Sequence, residues 1–404
     1  MDWKVHKLKE GIYMITMTDK ETRFFEALWE IPEGIQYNAY LLFTNDGSIL
    51  FDTGPKGSRG FMEALSSVTD PKDVKALIVH HMEPDHSGYI RELLEVNPEI
   101  RVISHPISFR LMNSFYGITP SSKTEISDGM SMEVGGERLR FFLTPWLHWP
   151  ETFVTFIEGV NALTTGDIFG AYSINGDFLK SSAGLSDQFY LWSMKKYFVN
   201  VIGAYRTHVV SAINKIKRLG IYPELILPAH GIAFYGRDAL ERLLSIYENW
   251  ASCSEKNEVV IVLTSMYGFT EEIAREVSAF LEEVSIKHRI FKFTSKGRDE
   301  FSEAIAAMQD AQGIIMISST YENSPHPIIE YLADLMEKKL CKGKKLLLIG
   351  TYAWGSGSLA TLSNRLTKAG FSISKIIPVN SMMTKSDRDN IREALREMFE
   401  LTRF

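Results

Sequence analysis

The chain has 404 residues, 44 basic and 50 acidic side chains, a net charge of −6, and 45% hydrophobic against 23% charged residues. That is the balance of a folded, water-exposed protein, too long for one ordinary core, so two domains are expected. It offers no basic run for nucleic acid and no apolar stretch of membrane-spanning length. The opening MDWKVHKLKEGIYMITM lacks the apolar core of a signal peptide, so a cytoplasmic location is expected.

The first half alternates short β-rich runs with turns, as in IQYNAYLLFTNDGSILFDTG. The apolar run DVKALIVH then reads as a buried strand that ends in the loop HHMEPDHSG. Within that loop His81, Glu83, Asp85 and His86 fall inside six residues. A loop anchored on a sheet can hold side chains out toward a metal. His148, Asp167 and His230 occupy similar junctions at the ends of FFLTPWLH, NALTTGD and PELILPAH. Seven nitrogen and oxygen donors placed this way describe a two-metal site on an α/β sandwich.

His80 precedes the cluster on the opposite face of an extended segment, which favours packing or support of a ligand over ligation. Trp146 and Trp149 flank His148 and are expected to buttress it. Phe24, Phe25, Tyr197 and Phe198 are candidates for an apolar cover over the metals, with core packing the better reading of each. The two cysteines, Cys253 and Cys341, lie far apart. They suggest neither a disulfide framework nor a Cys-x-x-Cys metal knuckle, and structural roles are expected for both.

The helical stretch RDALERLLSIYENW closes the first domain, and the boundary falls in ASCSEKNE, giving domains 1–253 and 254–404. Strands and helices then alternate regularly, the pattern of a parallel sheet. VVIVL reads as a buried parallel strand leading through Ser265, Met266, Tyr267, Gly268, Phe269 and Thr270 into an amphipathic helix. Hydroxyls and free N–H groups at a helix start make an anion site without a lysine, and no Walker-type sequence is present. Two later strand ends, in GIIMISSTYENSP and KKLLLIGTYAWGSGS, bring Ser319, Thr320, Tyr321, Glu322 and Asn323, then Tyr352, Ala353, Trp354, Gly355 and Gly357. In a doubly wound sheet of order 2-1-3-4-5 these loops converge at the carboxyl ends of the strands.

The spacing of the first motif resembles that of the metallo-β-lactamase superfamily, H-x-H-x-D-H, with Glu83 at a position where the zinc hydrolases usually carry histidine. Three carboxylates without sulfur suit a harder metal than zinc. With Glu83 and the flavodoxin-like tail, the chain resembles the flavodiiron proteins over essentially its whole length. The A-type members that oxidise the reduced deazaflavin coenzyme F-420 in methanogens are the nearest in overall character.

The resemblance implies a metallo-β-lactamase-like αββα sandwich followed by a flavodoxin-like domain. It implies one iron on His81, Glu83 and His148, a second on Asp85, His86 and His230, and Asp167 bridging them. FMN would have its phosphate on the loop from Ser265 to Thr270 and its ring between the two later loops, with Trp354 the stacking candidate. The implied activity is reduction of O2 to water, with oxygen detoxification as its purpose. A chain with two cysteines cannot contain an appended rubredoxin, so a separate donor is expected, and the resemblance implies reduced coenzyme F-420. Alternatives are an NO reductase served by a separate rubredoxin, a zinc hydrolase of the same fold, and an electron carrier with an idle sandwich. The family solution to flavin–iron distance is a head-to-tail homodimer, which allows a dimer of dimers.

Overall fold

The computed structural model describes residues 1–174 and 178–401 and divides into two compact units, Met1–Ser252 and Cys253–Phe404. Cys253 therefore starts the second unit rather than closing the first.

In the first unit two seven-stranded sheets face each other. One runs in the order Asp2–Lys9, Ile12–Asp19, Ile35–Thr44, Gly47–Phe51, Val74–Val79, Arg101–Ser104, Ser122–Glu125. The other runs Ser131–Val134, Glu137–Leu143, Phe153–Ile157, Ala162–Gly166, Leu225–Pro228, Ala233–Tyr235, Leu179–Ser181. Ile12, Met14, Phe51 and Ile78 of the first sheet meet Phe141, Phe153, Ile157 and Leu227 of the second in one apolar layer. Burial of such side chains removes apolar area from water and is the main force holding the sheets together. Amphipathic helices cover the outside, among them Arg206–Arg218, which buries Val209, Ala212, Ile213 and Ile216 on one stripe. This is the expected αββα sandwich.

The consequence for function lies at the strand ends. Val74–Val79, Ala162–Gly166 and Leu225–Pro228 are each buried almost throughout, and each stops within a few residues of His81, Asp167 or His230. Ala162–Gly166 and Leu225–Pro228 pair in parallel, so their following loops leave the sheet side by side.

The second unit holds five parallel strands in the order Lys287–Thr294, Lys256–Ser265, Ala311–Tyr321, Lys345–Tyr352, Ser372–Asn380, which is the 2-1-3-4-5 arrangement. Gly297–Arg298 adds a short antiparallel edge. Val259 to Leu263 are fully buried, as a central strand covered on both faces requires. Helices Phe269–Glu283 and Lys385–Met398 pack against the same apolar cluster, the latter begun by a reciprocal Thr384–Asp387 capping box.

One expectation needs correcting. Cys253 and Cys341 are bonded to each other across 88 residues. Cys253 precedes the strand Lys256–Ser265 and Cys341 precedes Lys345–Tyr352. A parallel sheet brings all its strand starts to one end, so topology unites two cysteines that spacing alone leaves unrelated. No helix among the described residues is long and apolar enough to cross a membrane.

Candidate metal centre

His81 lies two residues past the end of its strand, and Pro84 opens a single helical turn, Pro84–Ser87. That turn was not anticipated in what reads as a plain loop. It carries Asp85 and His86 round to one side, while Glu83 stands at its start. Gly88 is tight against the Pro55–Lys56 backbone, where any Cβ would collide with it, which locks the segment in place.

All seven predicted donors come together in two groups, His81, Glu83, His148 and Asp167, and Asp85, His86 and His230. Within each group the donor atoms lie within 4.8 Å of one another. Glu83 Oε2 stands 2.8 Å from His148 Nε2 and 3.1 Å from His81 Nε2. Asp85 Oδ2 is 3.3 Å from His86 Nε2 and 3.5 Å from His230 Nε2. Asp167 faces histidines of both groups. Its Oδ1 lies 3.0 Å from His86 Nε2 and 3.2 Å from His230 Nε2. Its Oδ2 lies 3.4 Å from His148 Nε2 and 3.6 Å from His81 Nε2.

The hydrogen bonding of this cluster is incomplete. Both oxygens of Asp85, Asp167 Oδ2 and His230 Nε2 are buried without a hydrogen-bond partner. Orphaned buried polar atoms are costly, and so many aimed at a common centre fit cations better than any protein partner. Four imidazoles and three carboxylates, without sulfur, suit iron or another metal harder than zinc.

The charges agree. Burial by itself would lower the pKa of His81, but hydrogen bonds to Glu151 and Glu83 and the charge of Asp167 outweigh it and hold it well above the usual histidine range. His230 is likewise opposed by burial, yet Asp167 and Asp85 raise it to about 10. Burial would raise Asp167 and Glu83, and their histidine neighbours instead pull both well below the ordinary carboxylate range. The site is built to hold positive charge.

The surroundings are partly as expected. His80 is buried away from the donors, with Nδ1 2.8 Å from Asp52 and Nε2 within 2.9 Å of Thr155 and 2.8 Å of Thr164. Trp149 sets its ring edge-on to His81, centroids 4.8 Å apart. Trp146 does not buttress His148; it is partly exposed and stacks on Tyr205. Phe25 and Tyr197 do wall the site, at 5.9 and 5.2 Å from the His230 ring, whereas Phe24 is exposed and Phe198 packs on Tyr247 and Trp250.

Packing understates Tyr197, whose hydroxyl donates to Asp167 Oδ1 at 3.0 Å. Its burial and the neighbouring carboxylates push its pKa far up, so the phenol keeps its proton. Glu151 was missed altogether: fully buried, it lies 3.0 Å from His81 Nδ1. The only hint in the sequence is an acidic residue three positions beyond His148.

In the second unit, the strand-end loops line a cavity of about 220 Å³. Met266, Tyr267, Phe269, Ser319, Thr320, Tyr352, Ala353, Trp354 and Gly355 form its walls, joined by Thr351 and Ser381, which were not predicted. Ser265 and Thr270 do not line it: Ser265 Oγ accepts from Gly268 N, and Thr270 donates to the Thr264 carbonyl. Those bonds shape the turn into the helix. Tyr321, Glu322, Asn323 and Gly357 do not line it; a Cβ on Gly355 would lie 2.2 Å from Asn323 Oδ1, so a side chain there would displace Asn323. Trp354 and Tyr267 are largely exposed on the rim.

Residues 35–231 match a family model described as ODP family beta lactamase. The structure superposes on a mutant flavo di-iron protein from Thermotoga maritima with a TM-score of 0.90 and 31% identity, covering 99% of each chain. Among curated proteins, the chain is 25% identical over 396 residues to the rubredoxin-oxygen oxidoreductase of Megalodesulfovibrio gigas, covering 96% of this chain and 95% of that one. It is 27% identical over 367 residues to the nitric oxide reductase of Moorella thermoacetica, covering 90% and 89%.

Proposed function

The chain belongs to the flavodiiron protein family, and on that premise we propose that it reduces O2 to water at an iron pair held by His81, Glu83, His148, Asp167, Asp85, His86 and His230, with electrons entering through FMN in the second unit. The observation that carries this is the double donor cluster, in which one carboxylate, Asp167, faces histidines of both groups and three carboxylates replace the histidine-rich zinc set.

When bound, the irons supply a reducible metal pair with positions open to a small oxidant, and FMN supplies a two-electron store able to discharge singly. The protein's part is placement and proton control. Asp167, Glu83 and Asp85 offset the positive charge of the centre in a site that water scarcely reaches. Tyr197 keeps a proton directed at Asp167, on the edge of the centre where a reduced oxygen needs protons. Phe25, Trp149 and Tyr37 wall the histidines with aromatic surface, Tyr37 at 5.4 Å from His230. Such walls admit a small apolar oxidant and exclude bulk water.

FMN would occupy the cavity lined by Met266, Tyr267, Thr320, Tyr352 and Trp354. For the donor, we favour reduced coenzyme F-420. A hydride donor must stack against the flavin, and the exposed rings of Trp354 and Tyr267 at the cavity rim offer aromatic surface for such contact. The rubredoxin named in the Megalodesulfovibrio relative makes a one-electron protein donor the competing choice. The nitric oxide reductase of Moorella gives NO the same standing as a second substrate. A head-to-tail dimer, one chain's flavin serving the other's irons, completes the proposal.

Rates with O2 and NO at equal concentration test the substrate, with the O2 rate expected to be the larger. Stopped-flow mixing with reduced F-420 tests the donor: FMN left oxidised would transfer the role to rubredoxin.

A further inference from the structure

The four histidines of the centre are not anchored alike. Each turns Nε2 inward, so what the opposite nitrogen meets decides how firmly the ring is held. His230 Nδ1 lies 2.9 Å from the neutral backbone carbonyl of Gln36. His86 Nδ1 is buried with no hydrogen-bond partner. His81 Nδ1 faces a carboxylate, Glu151 Oε1, at 3.0 Å. The same oxygen accepts from Met82 N at 3.1 Å, so Glu151 holds both the His81 ring and the backbone that follows it. Its other oxygen is buried and unpartnered.

We propose that Glu151 is a positioning residue that makes the two metal positions unequal, fixing His81 as an Nε2 donor and placing an extra negative charge behind the metal shared by His81, Glu83 and His148. This rests on the iron reading above. An ionised carboxylate can only accept, so Nδ1 must carry the proton and Nε2 is left with its lone pair directed at the centre. A carboxylate behind a metal-bound imidazole makes that imidazole a stronger donor and stabilises the higher oxidation state of the metal. Nothing comparable stands behind His86 or His230. The position with Asp85, His86 and His230 is therefore the more weakly held and the more easily reduced of the two. Trp149 packs edge-on against the same His81 ring.

The test uses the full-length holoprotein, with Glu151→Gln and Glu151→Ala beside the wild type. Glutamine keeps an acceptor for Nδ1 and removes the charge. The expected result for E151Q is retained iron with the first oxidation step of the iron pair moved to higher potential, followed by redox titration of its optical and Mössbauer signals. For E151A, iron should leave about 10–100-fold faster to a chelator, from one position first. Circular dichroism and the melting temperature of the first unit serve as the folding control. If E151Q titrates at the wild-type potential and E151A releases both irons at the wild-type rate, the assignment is overturned. Should wild type itself hold no iron, the iron reading fails instead, and that result is distinct.

Discussion

Asp167 is where the two halves of the centre meet, so neutralising it is the sharpest perturbation available. Asp167→Asn preserves shape and removes one charge. In the iron-free chain, that carboxylate lies within 3.6 Å of four imidazole nitrogens, and it raises the pKa of His81, His86 and His230. Removing one partner of such a buried ionic set costs about 3–5 kcal/mol, because the remaining charge cannot reach water. For a unit of this size each kcal/mol moves the melting temperature by about 2–4 °C, so the first unit should melt roughly 6–20 °C lower. On the proposed ligand set both metals would lose a shared ligand in the loaded protein, and iron content should fall below half that of wild type. Differential scanning calorimetry of the iron-free protein and elemental analysis of the loaded one read the two effects separately. Unchanged iron content together with an unchanged melting temperature would refute the bridging role of Asp167.

Glu83→Ala should abolish O2 consumption while FMN is still reduced by its donor; retained oxidase activity would favour the electron-carrier reading. Tyr197→Phe should keep the iron and slow turnover, since a hydrogen bond to a charged group is worth about 1.5–3 kcal/mol; a wild-type rate would show that the phenol plays no part. Trp354→Ala should weaken FMN binding by about 2–12-fold, the equivalent of ~0.5–1.5 kcal/mol of aromatic stacking, measured by fluorescence titration of the flavin-free protein. The iron-free chain should also lose stability in alkali. His230 is raised from 6.5 to about 10, so its stabilising contribution is complete below pH ~6.5 and disappears as pH rises through about 10. Urea unfolding across that range should show the decline, and a flat profile would contradict it.

The architecture was legible because its signals are local. Apolar runs such as VVIVL and DVKALIVH announce buried strands, and regular alternation of strands with helices announces the parallel sheet. The seven donors were legible for a related reason: each stands at or just beyond the end of a strand, where side chains must leave the sheet. What escaped depends on contacts distant in sequence. Glu151 reaches His81 across 70 positions and Tyr197 reaches Asp167 across 30. Neither carries a motif, and a buried tyrosine looks the same in sequence whether its hydroxyl is used or not. The Cys253–Cys341 bond likewise depends on the order in which strands are wound. In the second unit the chosen loops do line one cavity, but Ser265 and Thr270 spend their hydroxyls on the backbone of their own turn.

The central claim is a carboxylate-rich iron pair in one unit and FMN in the other, and the metal and flavin content of the purified protein tests it most directly. Elemental analysis and absorbance, on protein produced with iron available, should give two irons and one FMN per chain. Zinc in place of iron, or a chain without flavin, would contradict the account and restore the hydrolase reading.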